Sequence, residues 1–353
     1  VGLMGFAALG GISAVLVSMK PVPEAWALGG AGIGLGVLVA VATIFLAVAA
    51  YHRLPKGYIR GWGMAVIVIG GYFAARYFFD PATNLIESVN PAQTGFLGGL
   101  GLPVLLSWVV GGVLAASVAW VIGKVTLGLR SDYLAIATLG ISEIIIAVLK
   151  NEEWLTRGVK NVNGIPRPMP YEYDLQQQLW AQEWAAWFGA DLQDFTSIYV
   201  KLCSAGLALV MLGVLYWLSQ TAIKSPWGRM MRAIRDNETA ALAMGKHVTG
   251  RHLQVFILGS AVVGIAGAMM TSFDGQFTPT TYNPLRFTFL VWVMVIVGGS
   301  GNNLGAVLGG FLIWWLWVMV EPIGLWFMQL ATMGMAEGNW LRDHLLDSAA
   351  HMR

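Results

Sequence analysis

The sequence predicts an all-α protein, a polytopic transmembrane helical bundle of about eight to ten spans, and three observations carry that reading. Of its 353 residues, 57% are hydrophobic and only 11% charged, whereas a soluble globular domain devotes about a quarter of its residues to Asp, Glu, Lys and Arg. Apolar runs at 24–50, 96–122 and 253–273 carry at most one charge each. Each exceeds the roughly 20 helical residues needed to cross a hydrocarbon core about 30 Å thick. The 44 glycines would weaken soluble helices, but in membrane helices small residues let backbones approach closely.

Taken in order, apolar runs predict spans near 3–19, 24–50, 62–79, 96–122, 133–149, 196–219, 253–273, 286–299 and 304–320, with a weak tenth after Pro322. The first run lacks a basic flank and a small-residue cleavage site, so it reads as a retained helix. Within the fourth, Gly98–Gly101 and Pro103 either break a span or precede one that starts after the proline. Lys and Arg accumulate in cytoplasmic loops. Arg53, Lys56 and Arg60 place 51–61 inside, Lys124 and Arg130 place 123–132 inside, and six basic residues do the same for 220–252. The N-terminus then lies inside and 150–195 outside, the latter with seven acidic residues against four basic ones. There Leu175, Leu179, Trp180, Trp184, Trp187 and Phe188 recur at helical spacing, as in a helix lying at headgroup level or capping the outer mouth.

Composition also excludes functions. A net charge of +2 with dispersed basic residues gives no nucleic-acid footprint. Cys203 stands alone in an apolar run, and His52, His247, His252, His344 and His351 show no ligand spacing, so no metal site is expected. Lys124 and Lys246 follow glycines but lack the Gly-x-x-x-x-Gly-Lys-Ser/Thr context of a phosphate cradle; any ATP must bind another chain.

The most informative loop runs from Ser225 to Gly245. Arg229, Arg232 and Arg235 stud a helical pattern, Glu238 opens a turn, and the small Ala240 and Ala241 precede Gly245. A short basic helix ending in glycine between two spans is shaped to enter a groove on another protein, as a coupling helix would. Asp132 and Tyr133 begin a span, where the carboxylate can cap the helix or the pair can form a gating contact. Glu143 lies within that span, where an ionisable group faces a pathway, pairs with a partner or sits near enough to the interface to be wet. Arg76 and Lys201 read as snorkelling residues near helix ends.

Four segments in order resemble the LivM-type permeases of branched-chain amino acid ABC importers. They are Ser131-Asp-Tyr-Leu-Ala-Ile-Ala-Thr-Leu-Gly140 with Glu143, Asn163-Gly-Ile-Pro166, the Ser225–Gly245 loop, and Val297-Gly-Gly-Ser-Gly-Asn302 with Leu304-Gly305. The resemblance covers about 96–320 and implies a multi-pass bacterial inner-membrane subunit. It further implies a second homologous permease subunit, two cytoplasmic ATPase subunits that bind the ATP, and a periplasmic solute-binding protein, with Arg229–Gly245 as the ATPase-contacting loop. The chain itself would be no enzyme and hold no cofactor. Residues 1–95 depart from the family pattern; 96–335 form the permease core, with the periplasmic segment 150–195 and the coupling loop 220–252, and 336–353 a tail. Two other readings stand beside this one: a secondary transporter or channel driven by an ion gradient, and an ABC permease for urea or short amides. A membrane enzyme is disfavoured by the lack of clustered His, Asp or Cys at membrane depth.

Overall fold

The computed structural model describes residues 2–53, 58–89, 96–128, 131–152, 154, 158 and 160–333, without the side chains of Val48, His52, Ile59, Glu87, Val89, Ser131 and Asp132. The chain is a helical membrane protein. Its long apolar helices are α2 (Ala31–Arg53, led in by Pro23–Ala25 and a π-helical turn Trp26–Gly30), α3 (Tyr58–Val89), α4 (Val104–Thr126) and α5 (Ser131–Asn151). Three more, α8 (Leu192–Lys224), α11 (Val248–Asp274) and α13 (Asn303–Ala331), complete the seven that, among the described residues, are long and apolar enough to span a bilayer. The shorter apolar helices α1 (Leu3–Ser18) and α12 (Pro284–Gly298) bring the helices matching the nine predicted runs to their full number. Two short helices, α6 (Glu172–Gln176) and α7 (Leu179–Phe188), follow β1 (Val162–Asn163); α9 (Pro226–Asp236) and α10 (Glu238–Ala243) follow α8; β2 (Gln276–Phe277) follows α11.

The chain divides into two compact units, Val1–Leu209 with Ala233–Pro284, and Val210–Arg232 with Leu285–Arg353. In the first, α1, α4 and α11 pack together at distances set by missing side chains. A Cβ on Gly10 would strike the backbone of Gly264, and one on Gly267 the carbonyl of Ala7. The resulting core contains Ala8, Ala14, Ala115 and Ala268, all fully buried. Lipid gives helices no hydrophobic reason to associate, so close dispersion contact and satisfied polar groups must do so. Ser13 accordingly donates to the Ser107 carbonyl at 2.8 Å and the Trp108 indole to Ser272 Oγ at 3.1 Å.

Segment 96–103 is extended, and its amides cap α1: Leu100 N donates to Leu16 O, Leu102 N to Val17 O and Gly101 N to Met19 O, at 2.7–2.9 Å. These carbonyls have no helical partner of their own. Gly98 and Gly101 sit at φ +77° and +68°, which a glycine adopts without strain. The fourth span therefore starts after Pro103. At the same end, β1 pairs with β2 in antiparallel register Val162↔Phe277, and Gly164 and Ile165 amides both reach the Gly275 carbonyl at 3.1 Å. The Asn163-Gly-Ile-Pro motif thus closes that end, with Ile165 1% exposed and Phe277 fully buried.

In the second unit, α12 and α13 form a hairpin in which Gly298, Gly305 and Gly309 abut backbone to backbone. Asn302 caps α13 by accepting from Leu304 N at 3.0 Å, and Gly299 and Gly301 make the link at φ +96°.

Three boundaries differ from the sequence reading. Helix α3 runs through Pro81 to Val89, ten residues past the predicted end, and α13 runs through Pro322, so no separate tenth span begins there. Both prolines are carried inside helices, as membrane helices tolerate when neighbouring groups re-satisfy the freed backbone. The aromatic helix of the outer segment is broken at Gln177–Gln178 into α6 and α7.

Candidate functional site

The loop from Ser225 to Gly245 folds as an elbow of two helices, where a single short helix was expected. Ser225 begins α9: its hydroxyl accepts from Gly228 N at 3.3 Å, and Pro226 occupies the first helical position, where no amide is needed. Gly228 is buried because α9 turns back sharply on the end of α8; a Cβ there would collide with the carbonyls of Ala222 and Ile223. Helix α9 is strongly two-faced. Ile234 is buried and Met230 and Met231 are half-buried, while Arg229, Arg232 and Arg235 are exposed.

The three arginines do different things. Arg229 Nη1 donates to the Lys224 carbonyl at 3.3 Å and Arg232 Nη2 to the Ile223 carbonyl at 3.4 Å, so both serve the unsatisfied C-terminal end of α8. Among the described residues Arg235 meets its exposed neighbour Asp236, at 3.1 Å, a surface pair of little energetic weight. The bend lies at Asn237, whose extended backbone leaves α9 and whose side chain accepts from Ala240 N at 2.9 Å. Glu238 follows at the first position of α10, exposed, where its charge favours the positive helix end. Ala241 is buried and Ala240 exposed. Gly245, at φ +74°, ends α10 by a left-handed turn, with Lys246 N donating to Ala241 O at 3.1 Å.

Beyond the residues read from sequence, the elbow presents Leu242 and Met244, 53% and 79% exposed. Two large apolar side chains are thus left uncovered on a polar turn. The available signal was their apolarity inside an otherwise charged loop.

The second candidate set lies on α5. Thr138, Ser142, Ile146 and Leu149 form its buried stripe, and Gly5 N donates to Ser142 Oγ at 2.7 Å. Ile136, Gly140, Glu143 and Ala147 recur at three and four residues on the exposed side, and Tyr133 begins the same side at 64% exposure. Tyr133 and Glu143 are thus brought to one face, about 15 Å apart along the axis. The Asp132 side chain lies outside the described residues. Glu143 sits 12 residues into a 21-residue helix, at mid-span. A carboxylate at that depth is stable only against water or another protein. Among the described residues, no group of three His, Cys, Asp or Glu side chains gathers as a metal site.

A family model described as the permease component of the branched-chain amino acid transport system matches residues 63–335. The high-affinity branched-chain amino acid transport system permease protein LivM of Salmonella typhimurium is 26% identical over 254 residues, covering 71% of this chain and 56% of the relative. The probable LivM of Methanocaldococcus jannaschii is 26% identical over 247 residues, 68% of this chain and 61% of the relative. The xylose transport system permease XylH of Escherichia coli is 25% identical over 284 residues, 73% and 59%. The chain therefore spans a little over half the length of these curated relatives. No solved structure matches it.

Proposed function

Because this chain belongs to the family of permease components of branched-chain amino acid transport systems, we propose that it is the membrane-spanning permease subunit of an ATP-binding-cassette importer in a bacterial inner membrane. It moves branched-chain or related small amino acids by alternating access. A second homologous permease completes the pathway, two cytoplasmic ATPases bind the ATP, and a periplasmic solute-binding protein delivers the solute.

The observation that carries the reading is the elbow of α9 and α10. It joins two spans, displays Arg235, Glu238, Leu242 and Met244 outward, and is tied to the end of α8 by Arg229 and Arg232. Those bonds and the tight turn at Gly228 tie α9 to the end of α8. Alternating access requires that the nucleotide state of the partner bind one conformation of this elbow better than the other. The exposed Glu143 face of α5 then faces the second permease and the solute path, where a mid-span carboxylate is wet or paired.

Purification of the detergent-solubilised chain from its native membrane tests this: a second permease and ATPase subunits should copurify with ATPase activity. Recovery of the chain alone, with ion-gradient-driven uptake in vesicles, would replace the proposal with a secondary transporter. A sugar cargo is the second reading, favoured by the similarity to the Escherichia coli xylose permease. The ligand of the copurifying binding protein separates the two cargoes, and would equally reveal urea or a short amide.

A further inference from the structure

We propose that α7 is an interfacial helix, seated among the phospholipid headgroups on the outer side of the membrane with its tryptophans toward the lipid. At 3.6 residues per turn the helix has three sides. Ala181 and Ala185 are buried and pack inward. Gln182, Glu183 and Ala186 are exposed on a second side, together with Leu179. Trp180, Trp184, Trp187 and Phe188 make the third, and Trp187 is 78% exposed. The aromatic surface does not end with the helix. Phe188 stacks on Phe195 of α8 at 6.2 Å between ring centroids, Phe195 stacks on Tyr199 at 6.4 Å, and Trp180 meets Tyr199 edge-on at 5.4 Å.

Depth follows from charge along two spanning helices. Residues 202–223 of α8 and 252–273 of α11, 22 in each, hold no Lys, Arg, Asp or Glu. At 1.5 Å per residue each stretch is about 33 Å long, close to the thickness of the hydrocarbon layer. The outer edge of that layer therefore lies at Lys201 on α8 and at Asp274 on α11. The two marks agree in space, because Phe273 packs with Tyr199 and Cys203 around the buried Met169, Leu175 and Val200. Tyr199 then stands about 3 Å and Phe195 about 9 Å beyond the edge. A headgroup layer is about 5–8 Å deep, half the difference between a whole bilayer of about 40–45 Å and its core of about 30 Å. Trp180 is level with Tyr199 and Phe188 with Phe195, so α7 lies at headgroup depth with its far end at the outer rim.

Lipid suits the aromatic side at that depth. Tryptophan and tyrosine collect there because the ring meets the acyl boundary while its N–H or O–H stays wet. Ile198 and Leu202 are exposed on the same side of α8 as Phe195 and Tyr199, so the aromatic surface runs without a break into the lipid-facing surface of the span. Charge plays no part in the attraction. Residues 171–194 hold five acidic residues and no basic one, so anionic headgroups find no ion pair here and the rings carry the contact.

The test places nitroxide labels on the full-length chain, in a Cys203→Ser background, at Trp184→Cys, Trp187→Cys and Gln182→Cys. Each protein is reconstituted in vesicles of phosphatidylcholine and phosphatidylethanolamine, with thermal melting as the folding control; two aromatic positions keep the question answerable if one variant does not fold. Electron paramagnetic resonance then compares collision with oxygen, which concentrates in lipid, and with a nickel chelate confined to water. Labels at 184 and 187 should favour oxygen several-fold more than the label at 182, at a depth of about 5–10 Å into the boundary of headgroups and chains. Nickel access at 184 and 187 equal to that at 182 would lift the helix off the membrane and overturn the proposal. Shielding of 184 and 187 from both reagents would overturn it too, by placing the helix over the outer mouth of the chain. Neither result bears on ATP-driven import, since no partner subunit is present in the vesicles.

Discussion

At Gly10 the separation of two helices is fixed by a side chain that is absent. Its Cβ position already lies 2.8 Å from Gly264 Cα and closer to the Gly264 carbonyl, and neither backbone can yield without moving α1 off α11. Gly10→Val should therefore lower stability by about 1–3 kcal/mol or more, seen as a lower thermal midpoint of the detergent-purified chain. Gly213→Val, made where nothing lies within 4 Å, is the matched control and should melt near the parent. If both variants melt alike, backbone contact at Gly10 is not what holds the pair. Tyr282 makes a different kind of demand. Its hydroxyl shares a 3.0 Å hydrogen bond with Thr271 Oγ1, and burial pushes its pKa up from the ordinary 10.0 to about 12. Burial disfavours the phenolate, so the folded state holds the proton more tightly than the unfolded chain. The stabilisation is complete below pH 10 and is lost as pH rises to about 12. Thermal midpoints should fall across that window, and less steeply in Tyr282→Phe, which also forfeits about 1 kcal/mol for the hydrogen bond.

The elbow of α9 and α10 divides its labour in a way that mutations can separate. Arg229 and Arg232 hold the end of α8, whereas Leu242 and Met244 touch nothing that buries them. If these two are anchors in an ATPase groove, Met244→Asp should weaken that contact by about 2 kcal/mol, roughly 30-fold. Uptake should fall accordingly while the isolated chain melts unchanged. Arg229→Glu should lower both the melting temperature and uptake. A Met244→Asp protein with full coupled uptake would remove the anchor from the argument. The sequence reading found this loop from charge and spacing, because periodicity within one element is written locally. It could not find the capping of α8, since that depends on where Gly228 turns the chain back. Nor could it assign Leu242 and Met244 outward, because apolar residues in a membrane protein carry no mark of which solvent or partner they face. The nine apolar runs each became a helix for the same local reason. Two boundaries misled it: the apolar run ends at 79 but α3 continues through Pro81, and Pro322 suggested a further span where α13 simply continues. Reading Arg76 as a helix-end residue followed from that error, for α3 continues 13 residues beyond it and pairs it with Asp80.

Across the whole chain, hydrogen bonds show which segments share an end, and basic residues predict which side of the membrane that end faces. Residues 16–22, 97–102, 154, 162–165 and 275–282 are linked to one another by backbone hydrogen bonds, the β1–β2 pair and shared packing, so they occupy one end of the first unit. The basic segments 51–61, 123–132 and 220–252 all lie a full helix length away along the chain from that end, by α2, α4, α8 or α11. The positive-inside rule puts those basic segments in the cytoplasm, which puts the hydrogen-bonded end and 150–195 outside. The Gly299–Asn302 link joins α12 and α13 as a hairpin, so if both cross the membrane Thr332 should lie on the same side as Pro284, outside. The single native cysteine makes the check simple. In a Cys203→Ser background, Gln177→Cys and Thr332→Cys should react with a membrane-impermeant maleimide in intact cells, and Asp236→Cys only after the membrane is opened. Labelling of position 236 from outside would invert the topology and take the elbow away from any cytoplasmic ATPase. Protection of 332 with labelling of 177 would mean that α12 and α13 do not both cross.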